Sequence, residues 1–333
     1  HIAADVLGFI NSRRVSVYDE KSGTGIMRHI YLRCGAHSGE IMLCLVVRRD
    51  ISRELAGFVR EVTQKYPQIV SVVLNINPEK TNVILGKKCV TLFGSDTISD
   101  VMCGNKVDIS PLSFYQVNTV QAERLYAKAL EYAAPDNTKV IVDLYCGAGT
   151  IGLSMAKTAG KIIGVEIVPQ AIADAKENAK LNGITNAEFF VGKAEEVLPE
   201  FYERMRRGDS GISSGTSSGL SDAEVLDMDA ATDVQMLTPD VIVVDPPRKG
   251  CDTKCLETIV QMSPKRVVYV SCDSATLARD LKFLCENGYE VKRVRGCDMF
   301  GQTVSVETVV LLSQQKPDDT IEIDLDLDEL DAT

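Results

Sequence analysis

No Cys-x-x-Cys pair occurs among the ten cysteines of this chain, and the nearest approach in sequence is Cys251 with Cys255. That scatter supplies neither a zinc nor an iron–sulfur framework, so no metal is expected. No secretion signal opens the sequence, which argues against disulfides and for a reducing, cytoplasmic setting. Long apolar runs are missing too. Runs such as "VIVVD" and "VVYV" have the length of a strand and cannot span a bilayer, so no membrane partner is expected. Internal repeats are absent. So is an initiating methionine, since the first residue is His1, and the expectation is a fragment or processed form of a longer protein.

What is present is enough chain, 333 residues at 45% hydrophobic, for two domains with a sizeable core. The net charge of −11 argues at first against a nucleic-acid partner, but the acids are not evenly spread. Residues 208–240 hold seven acids and no base, and residues 318–333 hold eight acids and no base. Without these fifteen negative charges the remainder stands at about +4, a mildly basic body with peripheral acidity.

Residues 1–110 read as a small α+β domain, mostly strands. "IMRHIYLRCG" and "EIMLCLVVRR" flank the turn "AHSG" as in a hairpin. "ISRELAGFVREVTQKYP" has helical spacing and stops at Pro67. "IVSVVLNIN" and "NVILGKKCVTLFG" are further strands. Residues 111–315 change rhythm. "KVIVDLY", "KIIGVEIV", "AEFFVG", "DVIVVDPP", "RVVYVSC" and "YEVKRVRGCDMF" are strand candidates, most of them separated by helical patterns. Such alternation predicts an α/β fold with a parallel sheet covered on both faces. "TVSVETVVLLS" follows after a short connection and is expected to return antiparallel beside the last strand. The Ser/Gly/Asp-rich stretch near 208–238 reads as a disordered surface insertion, and 316–333 as an acidic tail.

Five features carry chemistry. "VDLYCGAGTIG" sets Gly147, Gly149 and Gly152 as G-x-G-x-x-G between a strand and a helix, where a ligand can approach the backbone closely. Glu166 ends the next strand, nineteen residues after Gly147, placed for two ribose hydroxyls. The pair suits a dinucleotide or S-adenosylmethionine, and a bare strand-to-helix turn is the plain alternative. "VVDPPRKG" holds Asp245 at the carboxyl edge of a buried strand and locks the chain after it with two prolines. Cys272, in "VSCDS", lies at the same edge ahead of a helix that Asp273 and Ser274 can cap. The helix terminus favours a thiolate there, although Asp273 partly opposes it. Most free cysteines are buried and inert, so the crevice position is what singles this one out. Glu307 interrupts the apolar "SVETVVLL", a costly place for a carboxylate unless it is paired or functional. If its strand runs antiparallel, Glu307 reaches the neighbourhood of Cys272; an edge-strand Glu facing water is the alternative. In "SFYQVN", Phe114 can stack and Gln116 can hydrogen-bond a ligand, and Asn118 with Gln121 resembles a capping box.

Taken together, "FYQVN", "DLYCGAGTIG", "GVE", "DPPRKG", "VSCD" and "VETVVLL", in this order over residues 111–313, resemble the RNA (uracil-5-)-methyltransferase family. The resemblance implies a class I S-adenosylmethionine-dependent, Rossmann-like methyltransferase domain with the smaller α+β domain, facing RNA, in front. It implies Cys272 as nucleophile and Glu307 as base. Gln116, Tyr145, Gly147, Gly149, Glu166 and Asp245 would serve the cofactor, and Phe114, Gln116, Asp245 and Arg248 the target base. A monomer acting on RNA is expected, with 23S ribosomal RNA preferred and transfer RNA, at uridine 54, the runner-up. The amino-terminal RNA-binding domain and the cysteine-rich iron–sulfur segment common in the family are not visible, so no cluster is expected in this chain. Gly301, Ser305 and Lys193 depart from the family's pattern. An RNA cytosine-5 methyltransferase is the nearest alternative, but such enzymes place a second cysteine after the proline where Arg248 stands here. A nicotinamide-dependent dehydrogenase and a catalytically silent RNA-binding module are the others.

Overall fold

The structure, a computed structural model, describes residues 1–207 and 238–315. The tail expected at 316–333, and all but the last residue of the insertion expected at 208–238, lie outside the described residues. The chain divides into two compact units. His1–Val120 with Lys180–Gly183 form one, and Gln121–Ala179 with the residues from Ile184 onward form the other.

The first unit is built on a four-stranded sheet. β1 (Met27–Cys34) and β2 (Ile41–Val47) form the expected antiparallel hairpin. Helix α2 (Ser52–Lys65) then crosses over to β3 (Ile69–Ile76), parallel to β2, and β4 (Lys88–Gly94) completes the order β1-β2-β3-β4. Leu55, Phe58, Val59 and Val62 recur at helical spacing and form the buried stripe of α2. A first helix, α1 (Ile2–Ser12), buries Val6 and Ile10 in the same core; the expectation of mostly strands missed it. β4 starts later than expected, because residues 83–86 are held elsewhere. Asn77 donates to the carbonyls of Val83 and Ile84, and Asn75 to that of Gly86. A separate hairpin, β5 (Ile98–Met102) with β6 (Asn105–Ile109), turns through Cys103 and Gly104, both at positive φ.

The second unit is a seven-stranded sheet. Its strands are β7 (Val140–Leu144), β8 (Lys161–Glu166), β9 (Ala187–Val191), β10 (Val241–Val244), β11 (Arg266–Ser271), β12 (Tyr289–Cys297) and β13 (Glu307–Gln314), in the order β12-β13-β11-β10-β7-β8-β9. β7 to β11 are mutually parallel. β13 enters antiparallel between β11 and β12. The central strands read "VIVDL", "VIVV" and "RVVYVS" because both faces are covered, so no polar alternation is needed. The helices lying wholly or mostly in this unit are α3 (Thr119–Ala133), α4 (Thr150–Ala156), α5 (Pro169–Leu181), α6 (Ala194–Arg207), α7 (Thr253–Met262) and α8 (Ser274–Glu286). Among the described residues, no helix is long and apolar enough to cross a membrane.

Candidate active site

β10 and β11 release their chains at the same end of the sheet. β10 ends at Val244, so Asp245 is the first residue beyond it. β11 ends at Ser271, so Cys272 is the first residue beyond that. β13 runs the other way, and its opening residues therefore meet this edge. Thr308 pairs with Ser271, and Glu307, one step earlier, stands beside the position where Cys272 leaves the sheet. An antiparallel strand is what allows a carboxylate at a strand's beginning to join two groups at strand ends.

The two carboxylates bear on the thiol, and Glu307 bears on Asp245. Burial and the charge of Glu307 push Asp245 up to about 7. Burial raises Glu307 as well, opposed by the positive charge of Arg248. Cys272 is partly exposed, and burial, Glu307 and Asp245 all raise its thiol, with its own backbone N–H and Arg248 opposing. The expectation that a helix terminus would favour the thiolate is therefore corrected. Asp273 caps α8 with its own carboxylate, which accepts the N–H groups of Ala275 and Thr276 at 3.1 and 2.9 Å. Those donors are spent, and two further carboxylates face the sulfur.

The glycine turn adjoins this cluster. Gly147 and Gly149 both have positive φ, and Gly149 precedes α4 as its N-cap. Glu166 ends β8 and accepts the Gly147 N–H at 3.2 Å and the Val168 N–H at 2.9 Å. Tyr145 opens the turn at φ 63°, a conformation that costs a non-glycine residue energy, and packs its ring against the apolar core. Cys255 lies beside its hydroxyl.

Sequence reasoning missed Asp143. It is fully buried inside β7, where its Oδ2 accepts the Gly152 N–H at 2.8 Å while its Oδ1 has no hydrogen-bond partner. Burial pushes it up to about 7, against the Gly152 N–H and with help from Asp245 and Glu166. Asp143 thus sits within electrostatic reach of both halves of the site. The signal was present in "VIVDL", an acid inside an apolar strand, the same pattern that singled out Glu307.

Phe114 and Gln116 belong to the first unit. Tyr115 between them donates its hydroxyl to Asp100 at 2.8 Å, and Arg33 donates to the carbonyl of Ser113. With the backbone fastened at 113 and 115, Phe114 stands 76% exposed. Among the described residues no group of three or more His, Cys, Asp or Glu side chains could hold a metal ion.

Comparison with known proteins identifies the family. Residues 135–294 match a methyltransferase domain family, and residues 31–209, more than half of the chain, match the tRNA (uracil-5-)-methyltransferase family. An RNA methyltransferase of Oceanobacillus iheyensis is 44% identical over 304 residues, covering 91% of this chain and 60% of the relative. Another, of Listeria innocua, is 45% identical over 296 residues, covering 89% of this chain and 58% of the relative. The chain therefore spans about 60% of the length of such relatives. The solved structure of the Pyrococcus abyssi tRNA (uracil-54, C5)-methyltransferase, in complex with S-adenosyl-L-homocysteine, superposes with a TM-score of 0.70 at 26% identity, covering 93% of this chain and 65% of that one. The dehydrogenase reading is set aside, and the chain, with its class I S-adenosylmethionine-dependent methyltransferase fold, belongs to the tRNA (uracil-5-)-methyltransferase family.

Proposed function

We propose that this chain methylates carbon 5 of a uridine in RNA, using S-adenosylmethionine and a transient bond between Cys272 and the base. The observation that carries the reading is the meeting of a thiol and a carboxylate, Cys272 just beyond β11 and Glu307 at the start of antiparallel β13, at the edge where the glycine turn also opens.

The residues present fit the cofactor. A side chain added at Gly147 would meet nothing within 4 Å, so the turn has open space beside it. Asp143 holds an unpaired buried oxygen behind the turn, and Glu166 closes its other side. In this reading Tyr145, Gly147, Gly149 and Glu166 hold S-adenosylmethionine, which supplies an electrophilic methyl group when bound. Asp245 and Arg248 face the target base. In the first unit Phe114 offers a ring for stacking and Gln116 an amide for hydrogen bonding to RNA bases.

Carbon 5 of uracil is a weak nucleophile. Cys272 gives its proton to solvent and its sulfur bonds to carbon 6; the carbon 5–carbon 6 double bond opens, and its electron pair moves onto carbon 5. Once carbon 5 carries the methyl group, Glu307 takes the proton still on it, the ring double bond re-forms and the sulfur departs. A carboxylate raised by burial is suited to accepting that proton. Ribosomal RNA is the first reading of the substrate. Transfer RNA is the second, favoured by the substrate named for the solved Pyrococcus abyssi relative.

The test uses the full chain, methyl-labelled S-adenosylmethionine and, in separate arms, 23S ribosomal RNA and transfer RNA at high concentration. Labelled 5-methyluridine is expected from one arm. Cys272→Ser should give neither product nor conjugate. Glu307→Gln should trap a labelled protein–RNA conjugate that survives denaturing electrophoresis. A labelled conjugate from Cys272→Ser, or methyl-labelled cytosine as the product, would overturn the reading.

A further inference from the structure

The loop after β10 carries Asp245 and Arg248, yet its two prolines lack N–H groups and offer it few bonds of its own. One bond is internal, from the Gly250 N–H to the Pro247 carbonyl at 2.8 Å. Most of what else fastens it comes from one face of α8. Thr276 donates its hydroxyl to the Arg248 carbonyl at 3.0 Å. Arg279 donates to the carbonyls of Lys249 and Cys251 at 3.0 and 3.2 Å. Asp280 accepts the Cys251 N–H at 2.8 Å. Positions 276, 279 and 280 are spaced by three and four, so they share one helix face.

Asp280 is fully buried and is held from two further sides, by the Tyr269 hydroxyl at 2.6 Å and by Arg279 Nε at 2.7 Å. Gly250 completes the fit. It lies at φ +75°, and a Cβ there would stand 2.5 Å from Arg279 Nη2 and 2.6 Å from Asp280 Oδ2. Only glycine lets the loop approach the helix this closely.

The helix that grips this loop is also the one that begins immediately after the nucleophile, with Asp273 as its cap and Cys272 before that. We propose that Thr276, Arg279 and Asp280 are positioning residues, a clamp through which α8 fixes Arg248 and Asp245 relative to Cys272. None of the three touches the reacting atoms. Their effect passes through Arg248, whose charge opposes the rise of both Cys272 and Glu307. When the clamp is loosened, Arg248 drifts and the thiol becomes harder to ionise.

The proposal rests on the reading of Cys272 as nucleophile, and its test has an arm that needs no RNA. Asp280 is fully buried, so its variants are prone to misfold. Arg279 is 56% exposed, so Arg279→Ala, Arg279→Lys and Thr276→Val carry the test. The first measurement is the alkylation rate of Cys272 against pH, followed by peptide mass spectrometry. The second is uridine methylation at saturating RNA, and the third is S-adenosylmethionine affinity with melting temperature. Arg279→Ala should shift the alkylation midpoint upward, slow alkylation several-fold at pH 8, and lower kcat about 10- to 100-fold, the scale of a small misplacement of reacting groups. Cofactor affinity should stay within about twofold, Thr276→Val should act in the same direction more weakly, and Arg279→Lys should restore part of the loss. An alkylation profile unchanged from wild type in Arg279→Ala would overturn the proposal. So would a fall in turnover that merely follows lost cofactor binding and lost thermal stability. If the wild-type chain makes no 5-methyluridine, the functional reading fails, and the alkylation arm still decides the clamp.

Discussion

Asp100 in the first unit and Asp143 in the second are both buried carboxylates, and they are opposites. Asp100 accepts the N–H groups of Ala36, His37 and Ser38 and the hydroxyl of Tyr115. Burial pushes its carboxyl up, but these donors outweigh burial and leave it below the usual range. Asp143 has one donor on one oxygen and none on the other, and burial takes it up to about 7. The difference separates a carboxylate whose donors tie a turn and a loop together from one whose second oxygen is left without a donor. Asp100 closes the β1–β2 turn and anchors the segment carrying Phe114 and Gln116. Asp143, Asp245 and Glu307 keep their oxygens available at the price of stability.

The contrast can be broken from either side. The largest expected effect is Glu307→Gln, which should cut turnover about 10²- to 10⁴-fold, the usual loss on removing a general base, with little change in melting temperature; multiple-turnover and single-turnover assays check it. Asp100→Ala should do the reverse. It orphans four donors and should destabilise the first unit by about 3 kcal/mol or more, read by urea denaturation.

Asp143→Asn sharpens the comparison through pH. The folded-state value of Asp143 lies above its ordinary one, so the folded form holds its proton more tightly, and stability falls as pH rises from about 4 toward 7. The substitution should therefore stabilise the second unit by up to about 4 kcal/mol at pH 8 and by almost nothing at pH 4, provided the amide is accommodated beside Gly152. Melting curves at both pH values decide it. For Asp100 the sign is opposite. Its value is depressed, so the stability it contributes is present above the ordinary carboxylate range and is lost as pH falls through its folded-state value. The smallest effect is Tyr115→Phe, about 1 kcal/mol for one hydrogen bond; a larger loss would mean that Tyr115 does more than hold Asp100.

Much of the second unit was legible because a parallel sheet writes itself as short, largely apolar strands, and each such run here became a strand. The antiparallel return of β13 was legible too, and with it the approach of Glu307 to Cys272. The acidity of Cys272 was not. It depends on how Asp273 spends the helix donors and on two carboxylates brought from other strands, and no local pattern encodes either. Asp100 was equally hidden, since three of its four donors come from a turn more than sixty residues earlier in the chain. The late start of β4 follows from Asn75 and Asn77, whose side chains compete for carbonyls that a longer strand would have used. Helix α1 carries a helical spacing at Val6 and Ile10, too brief to outweigh the strands that follow it.

The place of β13 in the sheet has a consequence for how the protein is made. β12 is synthesised before β13, yet β13 is its neighbour in the sheet and separates it from β11. On a ribosome, β12 must wait unpaired until the next strand has emerged and slipped between it and the rest. Glu307 arrives on that strand. A nascent chain can fold its glycine turn and display Cys272 before this moment, but it acquires its carboxylate partner only when the sheet closes. The growing polypeptide therefore passes through a stage in which Cys272 has emerged and the carboxylate of Glu307 has not, and the two meet only when β13 takes its place beside β11.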